Sequence, residues 1–83
     1  MKPAHNSFEI FPNPAQANFI IKLNLEFKIV NTELNVYNSL GEIIFSYKLN
    51  NEEETININL TTGIYFLKVS STENQFTKKL IID

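Results

Sequence analysis

The side chains that could carry out chemistry are few and far apart. The single histidine, His5, stands near the start, and the single aspartate, Asp83, is the last residue. There is no cysteine, which excludes a thiolate nucleophile, a zinc-thiolate site and a disulfide staple. A Ser-His-Asp triad, an aspartate dyad and an aspartate-rich calcium loop are equally out of reach within this chain. The densest acidic cluster is Glu52-Glu53-Glu54. Three adjacent side chains point in different directions, whereas calcium takes about six to eight oxygens from a shaped loop, so the run reads as a solvated loop. Tyr37, Tyr47 and Tyr65, with seven phenylalanines, could offer a stacking platform, but without tryptophan or arginine they read as the core of a sheet. All seven basic residues are lysines and the net charge is −2, so a nucleic-acid partner is not expected. No catalytic residue, metal ligand or cofactor is assigned, and the chain reads as a non-enzyme.

The elements that would have to position any site are strands. At 83 residues the chain has room for one domain with one small core. Ile, Phe, Tyr and Thr are common and Ala is scarce, a composition that favours sheets. Alternation of period two is clearest in Thr55–Leu60, with Ile56, Ile58 and Leu60 on one face and asparagines on the other,. The same test groups Phe19, Ile21, Leu23 and Leu25, with Phe27 and Ile29 as an extension. It also pairs Leu34 with Val36, groups Ile43, Phe45, Tyr47 and Leu49, and groups Tyr65, Leu67 and Val69. Phe8–Phe11 and Phe76–Ile82 complete the set. Reversals are expected at Asn38-Ser39-Leu40-Gly41, Asn50–Glu54, Thr61-Thr62-Gly63 and Ser71–Asn74, where Asn, Gly and clustered charge favour turns. The expectation is an all-β fold, a small immunoglobulin-like antiparallel β-sandwich of about seven strands.

No apolar run approaches the about 20 residues needed to cross a bilayer, and no apolar segment follows Lys2 as a leader would require. Residues 1–7 read as the remnant of a linker and residues 8–83 as the domain, which suggests a piece of a longer protein.

The most informative residues are local patterns in a fixed order. Phe8-Glu9-Ile10-Phe11-Pro12-Asn13-Pro14 resembles the "YPNP" opening of the type A C-terminal sorting domains of the bacterial type IX, or Por, secretion system. Leu34-Asn35-Val36-Tyr37-Asn38-Ser39-Leu40-Gly41 is similar to that family's "I-x-V-Y-N-x-x-G" segment. Leu60–Val69, with Gly63 and Tyr65, is similar to its "L-x-x-G-I/V-Y-x-L-x-V" segment. Lys78-Lys79-Leu80-Ile81-Ile82 resembles its basic-then-aliphatic ending. Phe11 stands where tyrosine is frequent, and Asp83 ends the chain where many members end on a basic or neutral residue.

What the resemblance implies is a signal domain from a Bacteroidetes-type bacterium. A covalently attached N-terminal cargo passes through the periplasm, and the domain directs it through the outer-membrane type IX translocon to the cell surface or the medium. A sortase-like peptidase then typically removes the domain. The residues that match the motifs are Pro12, Asn13, Pro14, Tyr37, Asn38, Gly41, Gly63, Tyr65, Lys78, Lys79, Leu80, Ile81 and Ile82. Read physically, Gly41 and Gly63 suit turns of positive φ, and Tyr65 suits a buried ring with a hydroxyl bonded to backbone. Lys78 and Lys79 supply charge, and the following aliphatics supply either an edge for a β-rich partner or closure of the sandwich. The alternative is an immunoglobulin-like or fibronectin-like accessory module that binds glycans or spaces a catalytic domain. Self-association through an edge strand is a further possibility.

Overall fold

The structure is a computed structural model that describes residues 7–13, 15, 18–24, 32–71 and 75–83. Its strands are β1 (Ser7–Phe11), β2 (Asn18–Asn24), β3 (Thr32–Tyr37), β4 (Ile43–Leu49), β5 (Glu53–Asn57), β6 (Gly63–Ser70) and β7 (Gln75–Ile82). They form one sheet in the order β1-β2-β5 and another in the order β4-β3-β6-β7, and all named pairs are antiparallel. In immunoglobulin lettering these are sheets A-B-E and C′-C-F-G, the sandwich that the strand spacing led us to expect.

Alternation decides which residues meet between the sheets. Phe8, Phe19, Ile21, Leu23 and Ile56 come from the three-stranded sheet. Leu34, Val36, Leu49, Tyr65, Leu67, Val69, Leu80 and Ile82 come from the four-stranded one, and all of these are buried. Burying each such side chain is worth roughly 1.5–3 kcal/mol relative to leaving it exposed, and in a chain without disulfides this packing holds the two layers together.

Three local expectations are revised. β5 runs Glu53–Asn57 instead of Thr55–Leu60. Its partner β2 places Lys22 opposite Glu53 and Asn18 opposite Asn57. A strand lasts only as long as its ladder, so beyond Asn57 the chain leaves the sheet with Ile58 and Leu60 packed against the core margin. Phe45, Tyr47 and Leu49 of β4 share a face as expected, but a register shift between Val36 and Tyr37 sets Ile43 opposite Tyr37 and breaks the alternation there; only Leu49 is buried, while Ile43 is 56% and Tyr47 38% exposed. Three strands cannot cover four, and β4 is the edge left overhanging. Gly63 opens β6 and does not sit in the turn before it. The expected extension of β2 through Leu25, Phe27 and Ile29, the turn residues 72–74, Pro14, and linker residues 1–6 lie outside the described residues.

Candidate functional site

The first and last sequence motifs, 66 to 68 residues apart, are joined in space. β7 is the edge strand of its sheet, so every second residue turns its backbone N–H and C=O outward. Asn13, just after the proline that ends β1, fills this edge with its carboxamide. Its Nδ2 donates to the Lys79 carbonyl at 3.0 Å, and its Oδ1 accepts from the Ile81 amide at 3.1 Å. The carbonyl needs a donor and the amide needs an acceptor, so only this orientation of the carboxamide serves both. Ala15 continues the seal as a parallel bridge to Ile82. Its amide donates to the Ile81 carbonyl at 2.8 Å, and its carbonyl accepts from the Asp83 amide at 2.9 Å. The chain thus crosses from one sheet to the other at Pro12, where proline cannot donate to a ladder, and the next residues become a partner for the C-terminal strand.

The terminal motif divides by parity. Leu80 and Ile82 point into the core, 0% and 2% exposed. Lys78 shares their face at its open end, with its ammonium 5.9 Å from the centre of the buried Phe8 ring, a cation-π arrangement. Lys79 and Ile81 point outward, the first exposed and the second half-buried. Of the two roles open to the aliphatics, Leu80 and Ile82 serve packing.

The middle motifs build turns and one corner. Asn38 shapes the β3–β4 hairpin: its Oδ1 accepts from the Leu40 and Glu42 amides at 2.9 and 3.0 Å, and its Nδ2 donates to Glu42 Oε1 at 2.8 Å. Gly41 in that turn has φ +85°, where an L side chain is strained. Gly63 has φ +158°, where side chains are also rare, with open space around it. Tyr65 is 7% exposed, and its hydroxyl donates to the Thr61 carbonyl at 2.7 Å and lies 3.1 Å from Thr61 Oγ1. A tyrosine near the start of strand F bonded to backbone a few residues upstream is the tyrosine corner of immunoglobulin-like domains.

The solvent face of the four-stranded sheet is divided lengthwise. At one end Ile43, Tyr37, Phe66 and Lys79 stand in a row across β4, β3, β6 and β7, with Ile64 beside Ile81 in the next row. At the other end the rows are Ser46, Asn35, Lys68 and Thr77, then Lys48, Glu33, Ser70 and Gln75. Ser46 donates to Asn35 at 2.6 Å there, and Asn35 donates to Glu33 at 3.3 Å. Alternation in the sequence sets Phe66 with Lys68 on the face opposite Tyr65, Leu67 and Val69 but assigns neither Phe66 nor Ile64 a role. The unbroken apolar run Ile64–Leu67 was the available signal, because a strand apolar at successive positions carries apolar side chains on both faces.

Glu54 does not behave as part of a solvated run. It accepts from the Tyr47 hydroxyl at 2.8 Å and from the Asn50 and Asn51 amides at 2.6 and 3.0 Å, tying β4 to β5 across the open side. Burial works against its charge, but the Asn50, Tyr47 and Asn51 bonds outweigh that and hold its pKa below the ordinary value. Tyr47 is correspondingly raised, by its bond to Glu54, by the Glu54 charge, and by desolvation. Among the described residues no three His, Asp or Glu side chains gather as a metal site would require. The groove between β4 and residues 58–61, about 450 Å³, is lined by Asn38, Ile44, Phe45, Ile58, Asn59, Leu60, Thr61 and Tyr65. It has no carboxylate, imidazole or amine to serve as a general acid or base.

The family model described as "Secretion system C-terminal sorting domain" matches residues 9–83. No curated protein matches the chain.

Proposed function

The chain belongs to the family of type IX secretion-system C-terminal sorting domains, and from that premise we propose that it is the removable address of a larger cargo protein. Membership implies a cargo, the type IX system, and export to the cell surface or the extracellular space; the family is not one of known enzymes. In the proposed sequence of events the cargo waits in the periplasm, the folded domain delivers it to the outer-membrane translocon, and a sortase-like peptidase cuts at or before residue 8, within or beside linker residues 1–7. The observation that carries the reading is the family match over residues 9–83. The Asn13 clamp supports it, because it joins the N-terminal motif to the C-terminal one at the open edge of β7.

The test is a fusion of a signal peptide, a folded reporter and this domain in a type IX-competent host. Reporter in the medium or on the cell surface, without the domain attached, is the expected outcome. Intact fusion held in the periplasm refutes the sorting role, and exported fusion that keeps its domain refutes the peptidase step.

A further inference from the structure

Leu40 is 82% exposed, more than any other large apolar side chain among the described residues. It stands in the turn between β3 and β4, where reversals ordinarily carry polar residues or glycine. Five hydrogen bonds hold that turn. The Asn38 amide donates to the Glu42 carbonyl and the Gly41 amide to the Asn38 carbonyl, both at 3.0 Å. Asn38 Oδ1 accepts from the Leu40 and Glu42 amides, and Asn38 Nδ2 donates to Glu42 Oε1. Gly41 makes the reversal at φ +85°, with open space around it, so the turn's own bonds and not packing shape the tip. The strand register sets where the tip lies. Ser7 pairs with Asn24, Lys22 with Glu53 and Thr32 with Leu49 at one end of the sandwich, and the Leu23 amide ties that end to the β4–β5 loop at the Glu52 carbonyl. The length of β4, at about 3.3 Å per residue, puts the tip about 20 Å from this end, where the chain enters β1. A cargo joined before Ser7 therefore leaves Leu40 clear. We infer that Leu40 is a docking knob, which enters an apolar pocket with a neutral or basic rim on a protein of the export apparatus.

Shape, charge and position choose the occupant. A single apolar side chain on a turn already held in shape gains most from a pocket that encloses it, because little ordering remains to be done on binding. A flat surface would leave most of it wet. Glu42 is the only charged residue from Asn38 through Tyr47, so a neutral or basic rim accepts the hairpin and an acidic one repels it. An anionic membrane is disfavoured, because one leucine beside a carboxylate falls short of the apolar face and the about four to eight clustered basic residues that such binding takes. A second copy of this chain offers the groove between β4 and residues 58–61, about 450 Å³. It is disfavoured because tip into groove joins two different surfaces, a head-to-tail contact that continues from copy to copy. A protein encountered at the end away from the cargo fits both constraints, and a contact centred on one side chain is small enough to be released.

The inference rests on the sorting reading, and the same secretion fusion tests both. Leu40→Ser, Leu40→Lys, the apolar exchange Leu40→Met and the opposite-end control Gln75→Ser are each compared with the unaltered fusion. The 83-residue chain carrying each substitution is melted separately to establish folding. Export at least tenfold lower for Leu40→Ser and Leu40→Lys, with unchanged melting and with Leu40→Met and Gln75→Ser exported normally, is the expected result. Retention of the unaltered fusion overturns the sorting reading together with this inference. Normal export of the unaltered fusion and of all folded variants overturns the inference alone, and so does an equal loss in Gln75→Ser. A melting temperature lowered by both Leu40→Ser and Leu40→Lys gives the side chain a packing role and overturns it. Sedimentation of the chain that shows association abolished by Leu40→Ser assigns the tip to a second copy and overturns it. Binding of the chain to phosphatidylglycerol vesicles that Leu40→Ser removes assigns the tip to a membrane, with the same consequence.

Discussion

Replacing Asn13 with alanine removes both side-chain bonds to the outer edge of β7 and leaves the Ala15 bridge untouched. A hydrogen bond contributes about 0.5–1.5 kcal/mol net. Both partners here are exposed enough for water to replace the carboxamide, which puts each bond toward the lower end and the pair at about 1–2 kcal/mol. In a domain of this size 1 kcal/mol moves Tm by about 4–8 °C, so Asn13→Ala is expected to melt roughly 5–12 °C below the parent in a two-state transition. Hydrogen exchange locates the effect. The Ile81 amide loses its acceptor and exchanges at least about tenfold faster, the energetic equivalent of 1.4 kcal/mol, while the Leu80 amide, which points into β6, keeps its protection. Asn13→Asp retains the acceptor for Ile81 but sets a carboxylate against the Lys79 carbonyl, and is expected to be less stable at neutral pH than Asn13→Ala. A Tm within 2 °C of the parent, with Ile81 exchange unchanged, refutes the argument that Asn13 serves as the strand's partner.

Leu80→Ala opens a cavity at a fully buried position and is expected to cost about 2–5 kcal/mol, seen in urea unfolding as a large fall in midpoint with the slope unchanged; a loss under 1 kcal/mol contradicts a core role for the terminal motif. Tyr65→Phe strips the bond to the Thr61 carbonyl while keeping the ring, and about 1 kcal/mol of destabilisation is expected in thermal melts. Because the Glu54 pKa is depressed on folding, its contribution is fully present above the unfolded value near 4.3 and lost as pH falls through the lower folded value. Tm measured from pH 6 to pH 2 is therefore expected to drop less steeply in Glu54→Gln than in the parent, and parallel profiles contradict the clamp.

Much of the sandwich was legible in local patterns. The inward faces of β2, β3 and β6 follow from alternation at Phe19–Leu23, Leu34–Val36 and Tyr65–Val69, and the β3–β4 hairpin follows from Asn38 and Gly41, because side-chain parity and turn preference act over two to four residues. The limits of β5 were not legible, because they depend on where β2 begins and ends. The exposure of β4 was not legible either, because alternation reports which side chains share a face and says nothing of whether another sheet covers it.

The motifs themselves divide along the same line. Residue types leave no thiol and only one histidine and one aspartate, and the order of four short patterns resembles that of a sorting domain. Only the tertiary structure decided what those patterns do: Asn13 caps the edge of β7, Tyr65 ties the corner to Thr61, Leu80 and Ile82 close the core, and Lys79 and Ile81 are left outward beside Phe66. The reason is physical. A strand edge or a sheet face has no fixed environment until strand order and the packing of two sheets bring residues more than sixty positions apart into contact, and those long-range contacts leave no signature in the local spacing.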